Sequence, residues 1–183
     1  EGQARAHSRP AVVLMAAGGL GLCAIGMLRA LGYEQVVALD LDDAKLKAAQ
    51  VAGATASINA RDARAAQKLK DATGGALYGA VDFVGSAATA QLALGALRKG
   101  GKLVLVGLFG GEIALSLGAT ILRAITVQGS HLGSVEELKA VVALVREGRI
   151  RPIPIEKRPL SEVSRTLDEL KAGGIIGRVV AQI

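Results

Sequence analysis

Residues 12–22, VVLMAAGGLGL, run from an apolar strand (Val12 to Ala16) into a turn that holds Gly18, Gly19 and Gly21. Leu22, Ile25, Leu28 and Leu31 then recur at three-residue steps, which predicts a helix over Gly19 to Leu31, stopped by Gly32. Residues 11 to 28 are uncharged and lie between Arg9 and Arg29, long enough to imitate a membrane span or a signal segment. The glycines in the middle mark a turn and split the run into a buried strand and a buried helix. A strand followed by a helix is the first half of a crossover unit.

The same rhythm continues outward. Gln35 to Asp40 reads as the next strand, and Asp42 to Ala52 as a helix with acidic residues in its first turn and lysines after it, as the helix dipole favours. A short strand at Ala56 to Ile58 precedes a helix over Ala63 to Ala72, ended by Gly74 and Gly75. Gly79 to Val84 is a strand, Ala87 to Leu97 a helix, and Lys102 to Leu108 a nearly all-apolar strand of the kind buried on both faces. A helix at Leu117 to Leu122 and a strand at Ile125 to Gly129 complete six strands. Strict alternation predicts an α/β fold, a doubly wound six-stranded parallel sheet.

After Gly133 the rhythm changes to a helix Val135 to Arg146, a proline-bearing stretch Pro152 to Pro159, a helix Ser161 to Leu170 and a strand Arg178 to Ile183. The expected division is a polar tail or linker (1–10), the sheet domain (11–132) and a C-terminal α/β segment (133–183).

With 183 residues there is room for one domain and an appendage. Gly contributes 24 residues, Tyr 2, Phe 2 and Trp none, so the core must come from Ala, Val, Leu and Ile packed close to backbone. The net charge is +6, concentrated between residues 139 and 158, yet that stretch lacks the aromatics that stack bases, and nucleic acid is not an expected partner. The single cysteine, Cys23, precludes an internal disulfide, and His7 and His131 cannot complete a tetrahedral zinc site with it. A reducing, cytoplasmic setting is expected, with Cys23 a small buried hydrophobe. The chain begins at Glu1 and its methionines are Met15 and Met27, which suggests a processed or excised piece.

Free N–H groups and the dipole at a helix N-terminus favour anions, and Gly18, Gly19 and Gly21 let backbone approach a dinucleotide's pyrophosphate closely. Ala16 stands where the strict fingerprint has its first glycine, and the glycines could serve tight packing alone. Asp40 closes the second strand 24 residues after Ala16, near the spacing at which a carboxylate accepts from adenosine ribose hydroxyls. It would also repel a 2′-phosphate, which favours NAD over NADP. The rival role for Asp40 is to cap the following helix. His131 follows the sixth strand at the ligand-binding edge, where a structural or solvent contact is the commoner role. Arg178 opens the last strand and could reach a phosphate or sit on the surface. No Ser-His-Asp set, carboxylate pair or Cys-His pair can be assembled.

From Pro10 to Ile183 the chain resembles the cofactor-binding half and C-terminal tail of the medium-chain dehydrogenases/reductases of the zinc-type alcohol dehydrogenase family. AAGGLGL, ALDLDDAKL, VDFVGS, LRKGGKLVLVGLFGG and GRVV stand in that family's order and spacing. The resemblance implies a Rossmann fold in which Gly18, Gly19, Leu20 and Gly21 hold the pyrophosphate, Leu20 also backing the nicotinamide. Asp40 and Lys45 would bind the adenosine ribose, and Val84, Gly85 and Ser86 would pass near a ribose. Val106, Leu108, Ser130 and Leu132 would fix the nicotinamide carboxamide, and Arg178 would contact the pyrophosphate.

The family's catalytic domain, which supplies the zinc ligands and most of the pocket for an alcohol, aldehyde or ketone, precedes this part of the chain. The resemblance therefore places zinc outside these residues and assigns them no catalytic residue. It implies a homo-oligomer paired through the edge strand near Ile125 to Gly129, and uncovered apolar faces over residues 131–183. Two rival readings are a zinc-independent quinone or enoyl reductase of the same superfamily, and a non-catalytic nucleotide-sensing domain.

Overall fold

The computed structural model describes residues 9–183, so most of the expected tail, His7 included, lies outside the described residues. The strands β1 (Ala11–Met15), β2 (Val36–Asp40), β3 (Ala56–Asn59), β4 (Leu77–Asp82), β5 (Lys102–Leu105) and β6 (Thr126–Gly129) form one parallel sheet in the order β3-β2-β1-β4-β5-β6. Between them run α1 (Gly19–Ala30), α2 (Asp43–Ala52), α3 (Ala65–Ala72), α4 (Ala87–Ala96) and α5 (Leu117–Arg123).

The two faces of the sheet are written into alternate residues of its central strands. Val12 and Leu14 of β1 join Val36 and Ala38 of β2 beneath Leu22, Ile25, Leu46 and Ala49 of α1 and α2. Val13 and Met15 join Val37 and Leu39 on the opposite face, packed with Leu69 and Ala93 of α3 and α4. Burying each of the larger side chains contributes about 1.5–3 kcal/mol. Apolar residues on both faces of consecutive strands force helices onto both sides, which is the doubly wound Rossmann arrangement.

β5 is shorter than the apolar run suggested. The N–H groups of Val106 and Gly107 both donate to the carbonyl of Asp82, at 2.9 Å each, and turn the chain away. Of that strand only Leu103 is fully buried, and Leu108 is 86% exposed.

The proline-bearing stretch also differs from expectation, because Ile155–Pro159 forms β7 and pairs in parallel with β8 (Arg178–Gln182) as a separate two-stranded sheet. α6 (Val135–Arg146) precedes it and α7 (Val163–Lys171) joins its strands. The Arg158 guanidinium contacts Glu156 and Glu169 at 2.7 Å each, tying β7 to α7 and holding both carboxyls below the usual carboxylate range. This part meets the main sheet through Ile150, buried against Gly26 of α1, and through Arg149, which donates to the Ala30 carbonyl. α6 leaves Val135, Leu138 and Val145 exposed. Among the described residues no helix is long and apolar enough to cross a membrane.

Candidate functional site

The strand order reverses between β1 and β4, and a crevice opens at their carboxyl ends, where open α/β sheets take ligands. A cavity of about 430 Å³ sits there, lined by Ala16, Asp40, Leu41, Val84, Ser86, Thr89 and Phe109 among others.

On its β1 side the glycine turn enters α1. Gly18 is the N-cap and supplies no side-chain acceptor; α3 and α7 also lack a capping side chain, whereas α2, α4, α5 and α6 are capped by Asp42, Ser86, Ser116 and Ser134. The first N–H groups of α1 are therefore left for an outside anion. The space beside Gly18 is open, and a side chain on Gly19 would strike the Arg178 guanidinium, its Cβ only 2.6 Å from Nε. An exposed arginine thus lies against the uncapped helix end, a pairing suited to phosphate. Leu20 is half exposed in the first turn of α1.

Asp40 is bound into the same turn. Its Oδ2 accepts from the Ala17 N–H at 2.7 Å, and its Oδ1 accepts from Leu41 N–H at 2.7 Å and Asp42 N–H at 3.1 Å. The rival capping role belongs to Asp42, whose carboxylate accepts from Ala44 and Lys45 N–H and is held below its ordinary pKa chiefly by the Lys45 N–H. Asp40 is thus left facing the cavity. Lys45 is half buried and its ammonium lies beside Gly173, in the turn after α7.

The turn demands an unusual backbone at Ala16, whose φ of 87° lies in the left-handed region. That region costs an L residue about 1–2 kcal/mol, while glycine loses about 0.5–1 kcal/mol to chain entropy. Ala16→Gly is therefore expected to raise stability by up to about 1 kcal/mol. A higher urea midpoint at unchanged slope would register the gain; a lower midpoint would mean that the methyl packs better than it strains.

On the β4 and β5 side, Val84, Gly85 and Ser86 follow the buried Asp82, and the chain after β5 runs alongside them. Phe109 N–H donates to the Val84 carbonyl and Gly110 N–H to that of Gly85. A Cβ on Gly85 would overlap the Gly107 carbonyl, and one on Gly107 would overlap Val84, so both loops need glycine at this crossing. Val106 is fixed by its bond to Asp82, Ser130 N–H donates to the Leu105 carbonyl, and Leu108 and Leu132 are largely exposed at the same edge, Leu132 with a φ of 61°.

Of the sequence-derived residues, Asp40, Val84 and Ser86 share the cavity, while Gly18, Gly19, Leu20, Gly21 and Arg178 gather at the start of α1. Gly85, Val106, Leu108, Ser130 and Leu132 border the ends of β4, β5 and β6. Sequence reasoning passed over Asp82 and Thr89; the only signal was a carboxylate within the apolar strand Gly79 to Val84, and Thr89 gave none. His131 is exposed and Cys23 half buried. Among the described residues no cluster of His, Cys, Asp and Glu could hold a metal ion.

Comparison with known proteins gives the family and the fold. Residues 19–147 match the zinc-binding dehydrogenase family model. The chain is 35% identical to an alcohol dehydrogenase of Geobacillus stearothermophilus over 94% of its own length and 50% of that protein's. It is 30% identical to an NAD-dependent alcohol dehydrogenase of Sulfurisphaera tokodaii over 94% of this chain and 50% of that one. The crystal structure of the alcohol dehydrogenase from Aeropyrum pernix superposes with a TM-score of 0.85 at 32% identity, covering 98% of this chain and 52% of that one. The chain spans about half the length of the curated relatives it matches. By its family match, its relatives and its fold, the chain belongs to the zinc-binding dehydrogenase family.

Proposed function

We propose that this chain binds NAD(H) along the carboxyl edge of its sheet in preference to NADP(H), and that within the whole protein it presents the nicotinamide to an alcohol or the corresponding aldehyde or ketone. The observation that carries the reading is the union of Asp40 with the glycine turn through Ala17, because one carboxylate then serves both the ribose position and the phosphate loop. NAD(H), when bound, supplies the hydride acceptor or donor.

The residues of the chain bind and orient. The uncapped start of α1 and Arg178 receive the pyrophosphate, Asp40 accepts from ribose hydroxyls and repels a 2′-phosphate, and Val84 and Ser86 wall the cavity. Backbone groups of Val106, Leu108, Ser130 and Leu132, beyond the ends of β5 and β6, fix the carboxamide. The zinc implied by the family finds no ligand set among the described residues, and no step through it is assigned to them. Among the described residues β6 has no neighbour on its outer edge, and we propose that it pairs there with a second copy across a two-fold axis.

Calorimetric titration of the chain with NADH and NADPH tests the reading. Binding of NADH at least about tenfold tighter than NADPH is the expected result, equivalent to about 1.4 kcal/mol. A folded chain that binds neither, or that prefers NADPH, would overturn it.

A further inference from the structure

β4 ends on Asp82, which is fully buried and stands opposite Met15 of β1, where the strand order reverses. A carboxyl group removed from water is tolerated only when its oxygens are satisfied, and here every partner is a neutral donor. Oδ1 accepts from the N–H groups of Val84 and Gly85, at 2.9 Å each, and Oδ2 accepts from the Thr89 hydroxyl at 2.7 Å.

Counting protons along this chain of bonds gives it a direction. With three donors converging on its two oxygens, Asp82 is the acceptor, so the single hydroxyl proton of Thr89 goes to Asp82 rather than to the Ser86 carbonyl 3.0 Å away. The Thr89 oxygen then receives the Ser86 hydroxyl, 2.9 Å away, and the Ser86 N–H at 3.2 Å. Ser86 Oγ also accepts from the Thr89 N–H at 3.3 Å. With its proton committed, Ser86 Oγ has one lone pair left, and Ser86 and Thr89 both line the cavity that Asp40 faces.

We infer that Asp82 is a positioning residue which, acting through Thr89, fixes the Ser86 hydroxyl as a hydrogen-bond acceptor toward the cavity, so that this point selects a donor group of the ligand, a hydroxyl or amino N–H of the nucleoside, and disfavours a phosphate oxygen. The inference rests on the cofactor reading above and adds to it the polarity of one contact and the buried group that sets it. The capping box of Ser86 and Thr89 alone would serve α4; the bond to a buried carboxylate and the cavity beside it give the box a second use.

The test is a set of NADH titrations with thermal melts on the wild-type chain, Ser86→Ala, Thr89→Val, the double variant and Asp82→Asn. Ser86→Ala and Thr89→Val are each expected to weaken NADH binding by about tenfold, the worth of one net hydrogen bond. The double variant is expected to bind no more weakly than Ser86→Ala, because the two residues act in series. Asp82→Asn keeps an acceptor for Val84 and Gly85 but turns a donor on Thr89, releasing the Ser86 proton, and its affinity should fall in the same range. Should that variant fail to fold, the other three decide.

Unchanged NADH affinity in Ser86→Ala, or losses that multiply in the double variant, would overturn the inference while leaving the cofactor reading intact. A purely structural role would lower the melting temperature and leave affinity alone. A wild-type chain without NADH affinity would overturn both together.

Discussion

Gly21→Ala is expected to abolish measurable NADH binding and to destabilise the fold. A Cβ at this position would overlap the carbonyl oxygen of Ala16, which is backbone and cannot rotate aside. Nor can α1 retreat, because Leu22 and Ile25 pin it in the core on the sheet face shared by β1 and β2. Overpacking of this kind costs about 1–3 kcal/mol, and a displaced turn no longer aims its N–H groups at one point. A loss of at least about 100-fold in affinity follows if the turn opens, equivalent to about 2.7 kcal/mol. Gly18→Ala is the companion, since nothing lies within 4 Å of its added methyl. Its fold should be unaffected, so any loss of affinity there reports ligand in that space. Wild-type NADH affinity in Gly21→Ala would remove the glycine turn from the site.

Asp40→Asn is expected to weaken NADH binding by about 10–100-fold, from the loss of charge-assisted hydrogen bonds worth about 1.5–3 kcal/mol. Each carboxylate oxygen is already engaged, one with Ala17 N–H and the other with Leu41 and Asp42 N–H. An amide keeps one acceptor and turns a donor on either the loop or its own backbone. Discrimination against NADPH should therefore narrow because NADH is lost, with little gain for NADPH despite the vanished repulsion. Paired titrations with the two cofactors measure this. NADPH bound by the variant as tightly as NADH is by the wild type would show that Asp40 acts as a charge alone, without its hold on the loop.

The sheet was legible from the sequence because its determinants are local. Unbroken apolar runs such as Val12 to Met15 and Val36 to Leu39 must be covered on both faces, and glycine follows the ends of α1 and α3 as expected. The glycine turn and Asp40 were legible for the same reason, since their spacing is set by one strand, one turn and the next strand.

Tertiary structure decided the rest, through contacts between segments distant in the chain. β5 stops at Leu105 because the Asp82 carbonyl, more than twenty residues earlier, captures the next two N–H groups. β7 is a strand only because β8 lies beside it, and its Glu, Lys, Arg and Pro carry no strand pattern of their own. Asp82 reads in sequence as one more residue of an apolar strand; its burial, and the direction it gives to the hydroxyls of Thr89 and Ser86, exist only once β1, β4 and α4 are packed together. A sequence thus fixes which groups a segment must bury or bond along itself, whereas the partner of a buried polar group is chosen by the fold that brings it there.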